Sequence, residues 1–234
     1  MPATIVRMIE LSFTTMTALI HEPHTFLCKY IHGLETFRTP AQEAGSRRHR
    51  IVQNHVSGRV EHPGLAHLPF FPHVEQQDFD PRTKVRMPVD ADFAFIGYVD
   101  GLNPQTGQLL EIKTGSRWGR QRFLELAQWK LYAAALPDYR EVVFVNCPGP
   151  PETWSRASVA TFRHRIRPEN REFARVFIER AIGIIRHIDS YPLKVRGRSR
   201  WCAYIGCPYC EDGAAPPAGT TYRGSGIPQR SKTR

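Results

Sequence analysis

The sequence predicts a mixed α/β domain, and three observations predict it. Helical and strand periodicities alternate along most of the chain. Residues 93–102 and 108–114 are apolar runs separated by the turn-rich Asn103-Pro104-Gln105-Thr106-Gly107, which reads as a β-hairpin. The run Glu-Val-Val-Phe-Val-Asn at 141–146 follows a long amphipathic stretch and reads as a short strand buried inside a sheet.

In chain order, residues 5–13 alternate loosely as a strand, and Thr14 or Thr15 caps a helix running through Leu19 toward Tyr30, with Pro23 as a break or kink. A second helix is expected over 41–55, because Thr39-Pro40 supplies a cap and a first-turn proline, and Gly45, His49 and Val52 recur at helical spacing. Residues 57–69 read as a loop and 70–77 as a strand before the hairpin. One amphipathic helix is expected over 119–136, ended by Pro137-Asp138, and a weaker strand over 158–162. The last expected helix, 168–190, turns Phe173, Phe177, Ile184, Ile185 and Ile188 inward, with Arg171, Arg175 and Arg186 on other faces. Residues 212–234 hold four Gly, three Pro and four Lys or Arg and little to bury, so they read as a flexible basic tail after a domain of 1–211.

Composition narrows the function. The 234 residues are 41% hydrophobic and 23% charged, as expected of a chain that buries a core. Lys plus Arg exceed Asp plus Glu by 32 to 22, a formal net charge of +10, which selects an anionic partner, nucleic acid before membrane phosphate. No apolar run approaches the roughly 20 residues of a spanning helix, and the N-terminus lacks the order of a secretory signal, so a cytoplasmic protein without membrane partners is expected. A binder of membrane surfaces or other polyanions through the basic tail is an alternative resting on charge alone.

The hairpin carries charge where a bland core would have none. Side chains alternate along a strand, so Glu111 and Lys113 share one face while Leu110 and Ile112 take the other. A hairpin symmetric about the middle of the turn puts Asp100 opposite Glu111, close enough for both carboxylates to reach one ion. A divalent cation relieves their repulsion, and hard oxygen donors favour Mg2+ or Mn2+. Lys113 could orient or help deprotonate a water and offset charge on a phosphoryl transition state. On the following helix Gln121, Glu125, Gln128 and Tyr132 fall in one polar stripe bordering the apolar face, suited to a nucleic-acid backbone or base.

The order Gly45-Ser-Arg-Arg-His49, Gly97-Tyr-Val-Asp100-Gly101, Glu111-Ile-Lys113-Thr-Gly and Gln128-Trp-Lys-Leu-Tyr132 resembles the PD-(D/E)XK nuclease superfamily, in its RecB-like branch. That branch includes CRISPR-associated exonucleases and the nuclease domains of recombination complexes. The resemblance spans about residues 12–211 and implies a restriction-endonuclease-like core, a central mixed β-sheet flanked by helices. It implies a metal held by His49, Asp100, Glu111 and the Ile112 carbonyl, Lys113 acting on the attacking water, and Gln128 and Tyr132 contacting DNA. Glu75 on the preceding strand is a further candidate for the same site. Val99 stands where the superfamily's name has proline, a variation common in the branch.

Five cysteines include the cluster Cys202-x4-Cys207-x2-Cys210, which reads as metal ligation with a fourth thiolate from Cys28 or Cys147. The resemblance selects Cys28, since iron–sulfur members of the branch join one N-terminal cysteine to three C-terminal ones, and it implies a [4Fe-4S] staple, with zinc as the alternative. Here the longer cysteine gap comes first, the reverse of the usual order. The function expected is a metal-dependent exonuclease acting on single-stranded DNA or duplex ends in CRISPR adaptation, recombination or repair. Arg117, Arg120, Arg163, Arg165 and Arg167 would track the backbone. The alternative is a non-catalytic nucleic-acid-binding subunit of a recombination or CRISPR integration complex on the same scaffold.

Overall fold

The computed structural model describes residues 8–21, 26, 29–30, 39–75 and 81–187. The first residues of the expected N-terminal strand, Pro23, Cys28, residues 188–190, the cluster Cys202, Cys207 and Cys210, and the tail 212–234 lie outside them. The chain divides into two compact units, one drawn from residues 1–37, 88–94 and 177–234, the other comprising Arg38–Met87 and Phe95–Val176.

In the first unit β1 (Ile9–Ser12) leads directly into α1 (Phe13–His21), which buries Met16, Leu19 and Ile20. The helix starts two or three residues earlier than expected, because Ser12 Oγ accepts the Thr15 N–H at 3.2 Å and so does the capping. The turn at 89–92 is closed by Asp90 Oδ1, which accepts the N–H groups of Asp92 and Phe93 at 2.8 and 2.9 Å. Arg186 donates to Asp90 Oδ2 at 2.7 Å.

The second unit holds the chemistry. It opens with α2 (Pro40–Val56), whose N-terminus is a full capping box: Thr39 Oγ1 accepts the Gln42 N–H at 3.2 Å, and Gln42 Oε1 accepts the Thr39 N–H at 2.8 Å. A five-stranded sheet follows in the order β2 (His73–Val74), β5 (Gly101–Asn103), β6 (Gln108–Gly115), β7 (Glu141–Pro148) and β8 (Ala160–Arg165). β6 pairs antiparallel with β5 and parallel with β7, which makes the sheet mixed. A parallel return needs a crossover of a dozen residues or more. It is supplied by α3 (Arg120–Glu125) and α4 (Ala127–Ala135).

Two departures from the expected elements matter. The expected strand 93–102 is split into β4 (Phe93–Tyr98) and β5, and β4 pairs with β3 (Lys84–Pro88), a strand absent from the sequence reading because its five residues carry just two apolar side chains, Val85 and Met87. The expected helix over 119–136 breaks at Leu126, whose φ of −60° and ψ of 130° are extended. The break costs little: the freed Phe123 carbonyl accepts both the Leu126 N–H at 3.1 Å and Trp129 Nε1–H at 3.0 Å. It also lets Phe123 join Phe144 and Phe162 (centroids 5.0 and 5.3 Å away) while α4 takes its own orientation.

Period-two alternation along β6 and β7 sorts the sheet's two faces. Leu110, Ile112, Val143, Val145 and Cys147 pack with Val52 and Val56 of α2 and with Leu65, Phe71, Val74 and Trp154. Glu111 is paired in register with Phe144, so it falls on the opposite face, the side of Phe123 and Trp129. Arg171, near the start of α5 (Pro168–Arg186), holds the end of α4 by donating to the Ala133, Pro137 and Tyr139 carbonyls at 3.0, 2.9 and 2.9 Å. Among the described residues no helix is long and apolar enough to cross a membrane.

The capping box fixes where α2 begins, and so the register at which it presents His49. Replacing Thr39 by Ala should lower stability to urea denaturation by about 1 kcal/mol, while Thr39→Ser should be nearly neutral.

Candidate active site

Four segments converge at one end of β6. The hairpin register ends at Gly101↔Leu110, and Asp100 and Glu111 are the next residues on the two sides of it. Asp100 sits at the break between β4 and β5 and is buried. Its Oδ2 accepts the Ile112 N–H at 2.6 Å, and its Oδ1 lies 3.4 Å from His49 Nε2 on α2. The part that Ile112 plays in these contacts is therefore that of an amide donor. Gln53, one helical turn beyond His49, donates to the Asp100 carbonyl at 3.4 Å, and the same carbonyl accepts the Glu75 N–H at 3.2 Å.

Glu75 thereby enters the site. Ligand atoms of His49, Glu75 and Asp100 all lie within 4.8 Å of one another. Glu111 stands outside this group of three and faces Lys113 instead, with Lys113 Nζ 2.5 Å from Glu111 Oε1. Lys113 also donates to Gln128 Oε1 at 3.1 Å, and Gln128 Nε2 donates to the Tyr132 hydroxyl at 3.1 Å. A continuous polar line thus runs from Glu111 on the sheet to Tyr132 on α4. The expected four-residue stripe does not survive the break at Leu126: Gln128 and Tyr132 face the site, whereas Gln121 and Glu125 are exposed on α3 and bonded to each other at 2.9 Å. Tyr132 is seated against Gly97, where an added Cβ would fall 2.5 Å from the Tyr132 ring, so this glycine is required by close approach.

Burial and like charge set the electrostatics. Burial pushes the Glu111 carboxyl up, the Asp100 charge adds to this, and Lys113 only partly opposes it, leaving the group raised from 4.5 to about 7. Burial and the Asp100 charge likewise raise Glu75 from 4.5 to about 7, against the opposing influence of His49. Burial alone would raise Asp100 as well, but His49, Lys113 and the Ile112 N–H outweigh it and hold Asp100 below its ordinary value. The complementary cations rise: burial disfavours charged His49 and charged Lys113, yet Asp100 outweighs it for the first, and Glu111 with Asp100 for the second. Tyr132 is raised well above its ordinary value by burial and by the Glu111 and Asp100 charges, so it stays a neutral phenol at pH 7.

Three carboxylates crowd this pocket, each disfavouring ionisation of another. Glu111 Oε2 is buried and accepts no hydrogen bond among the described residues. Carboxylate oxygens with one imidazole form a donor set suited to a hard divalent cation such as Mg2+ or Mn2+, so the residues fit the expected metal.

Asn146, which the sequence reading passed over as the end of a buried strand, supports the site from β7. It is 1% exposed, and its Nδ2 donates to the Lys113 and Ser116 carbonyls at 3.0 and 3.1 Å. A polar side chain closing an apolar strand run was the available signal. Of the remaining expected contacts, Arg117 is exposed in the loop after β6, and Arg120 is exposed with its guanidinium 5.8 Å from the Phe162 ring centre. Cys147 is buried and free, with its thiol pushed up to about 12 by burial, as a packing residue should be.

No protein-family model and no curated protein matches the chain. Among solved structures it is similar to the alkaline exonuclease LHK-Exo from Laribacter hongkongensis, at 12% identity and a TM-score of 0.45, covering 77% of this chain and 92% of that one. LHK-Exo in complex with dAMP gives 12% identity and a TM-score of 0.46 over 77% and 91% of the two chains. The structure of SSO0001 gives 15% identity and a TM-score of 0.46 over 91% of each.

The raised carboxyls make stability depend on pH with a definite sign. Glu75 and Glu111 hold their protons more tightly folded than unfolded, so metal-free protein should lose stability as pH climbs from 4.5 to about 7. The stabilising interaction of charged His49 is lost as pH rises through its elevated value, adding a loss of the same sign. Mn2+ binding to the folded state offsets the penalty, so thermal denaturation should show a larger Mn2+-induced rise in Tm at pH 7 than at pH 4.5. Equal shifts at both pH values would contradict this electrostatic picture.

Proposed function

We propose that the protein is a divalent-metal-dependent nuclease that hydrolyses DNA phosphodiesters. The observation that carries this reading is the gathering of His49, Glu75 and Asp100 donor atoms within 4.8 Å beside the Glu111–Lys113 pair. Paired acids with an adjacent ammonium match the needs of phosphoryl hydrolysis, where negative charge builds on phosphate oxygens as water attacks.

Each residue has a role within this reading. His49, Glu75 and Asp100 would hold the cation, and Glu111 Oε2 is the further carboxylate oxygen left open to it or to a water. A bound Mg2+ or Mn2+ supplies polarisation of the phosphoryl oxygen and acidifies water. Lys113, held as an ammonium by Glu111 and Asp100, is suited to stabilising negative charge rather than to taking a proton from water. Water oxygen would bond to phosphorus and give up a proton to solvent, the bond to the departing sugar oxygen would break with that oxygen taking a proton from solvent, and Gln128 and Tyr132 would position the strand beside Lys113. Exposed Arg117 and Arg120 add salt-sensitive, sequence-independent affinity.

The finer assignment rests on the order of the four motifs. We assign residues 1–211 to a restriction-endonuclease-like, RecB-like nuclease domain, with the tail 212–234 appended. It would act in the cytoplasm as an exonuclease on single-stranded DNA or duplex ends, in CRISPR adaptation, recombination or repair. Cys28, Cys202, Cys207 and Cys210 would hold a [4Fe-4S] cluster as a structural staple.

Incubation with end-labelled DNA and Mn2+ should release short products. Lys113→Met should slow their release by about a hundredfold or more, and Asp100→Asn should abolish it with the fold intact by circular dichroism. Undiminished digestion by Asp100→Asn would remove the nuclease assignment. Independently, anaerobically purified protein should contain about four irons per chain and absorb broadly near about 400 nm; stoichiometric zinc without iron would replace the cluster by a zinc site.

A further inference from the structure

Trp118 lies in the loop between β6 and α3, and hydrogen bonds hold the loop at Gly115, Ser116 and Trp118. Gly115, at a φ of 100°, turns the chain out of β6, and its carbonyl accepts the Gly149 N–H at 3.0 Å. The Trp118 N–H donates to the buried Asn146 Oδ1 at 2.8 Å, while the same Asn146 amide holds the Lys113 and Ser116 carbonyls. The indole itself is fixed by its Nε1–H, which donates to Ser116 Oγ at 3.1 Å, and by the Phe123 ring 5.2 Å away.

This rigid indole stands at the site. Lys113 Nζ is 5.9 Å from its ring centre, and the guanidinium of exposed Arg122 lies 3.9 Å from that centre. Trp118 is half-buried and meets Phe123, which itself packs on buried Phe144 and on Phe162. The close guanidinium shows that the ring presents a face to planar groups at the surface. An unpaired nucleotide base is such a group, and its phosphate would then lie within reach of both Lys113 and Arg122.

We propose that Trp118 is the stacking platform for an unpaired base adjoining the phosphate held at Lys113, with Arg122 yielding its place on the ring to the base and turning to the backbone. The proposal deepens the nuclease reading and rests on it for the identity of that phosphate. Because bases within a duplex keep their faces stacked on each other, the platform favours unpaired segments, whether a single strand or the opened end of a duplex, which makes it the element that selects the substrate.

The test uses the full chain and fluorescence anisotropy of a labelled single-stranded oligonucleotide, intact or carrying abasic sites, so that binding is read without cleavage. Trp118→Ala should weaken binding of intact DNA about tenfold, in line with the loss of one base–aromatic stack, and leave binding of abasic DNA nearly unchanged. Trp118→Leu, which keeps apolar packing on Phe123 and serves if the alanine variant does not fold, should behave the same way, whereas Trp118→Phe should recover most of the affinity. Equal loss on intact and abasic DNA, or no loss with Trp118→Leu, would overturn the stacking role. Product formation by the unaltered protein in Mn2+ is scored separately: its absence removes the nuclease reading, while the binding comparison still decides whether Trp118 stacks a base.

Discussion

Three carboxyl groups brought together, two of them buried and one half-buried, govern the rest of this structure. Asp100, Glu75 and Glu111 would repel one another if all were ionised, and burial would favour protonating each of them. The fold resolves the conflict unevenly. Asp100 receives the Ile112 amide and His49 and stays ionised below its ordinary range, while Glu75 and Glu111 are left near neutrality at about 7. A site in this state has a demand for positive charge, met in part by Lys113 and by His49.

The surrounding elements follow from that demand. α2 contributes His49 and Gln53, both in contact with Asp100, on one edge of a helix from which Val52 and Val56 enter the apolar core, so core packing and the polar contacts to Asp100 share one register. The break at Leu126 separates two duties that a continuous helix would have combined on one axis: Phe123 closes the aromatic cluster, and Gln128 with Tyr132 faces Lys113. Asn146 binds the far side of the Lys113 peptide, so the ammonium is held from the side chain by Glu111 and from the backbone by β7.

Much of the site was legible along the chain because the hairpin is local. Once the turn at 103–107 is recognised, strand geometry dictates that Gly101 opposes Leu110, which leaves Asp100 next to the pairing on one side and Glu111 on the other, and that Glu111 and Lys113 share a face. α2 was legible for a similar reason, since Thr39, Pro40 and Gln42 carry their capping information within four residues. β3 was missed because five residues with two apolar side chains, Val85 and Met87, are too short a run for its alternation to stand out, and the split at Leu126 was missed because Leu is a good helix former whose extended conformation is imposed by packing.

By itself the sequence determined the strand pairing about the 103–107 turn, the alternation of faces on β6, the capped start of α2 and the basic balance of +10, all of them consequences of short-range geometry or of composition. Tertiary structure alone decided that Glu75 joins His49 and Asp100 while Glu111 turns to Lys113, that Asn146 anchors the loop carrying Trp118, and which carboxyls are pushed to about 7. The physical reason is that ionisation and ligation depend on distance and on exclusion of water, and both are set by segments far apart in the chain that meet only when the core closes.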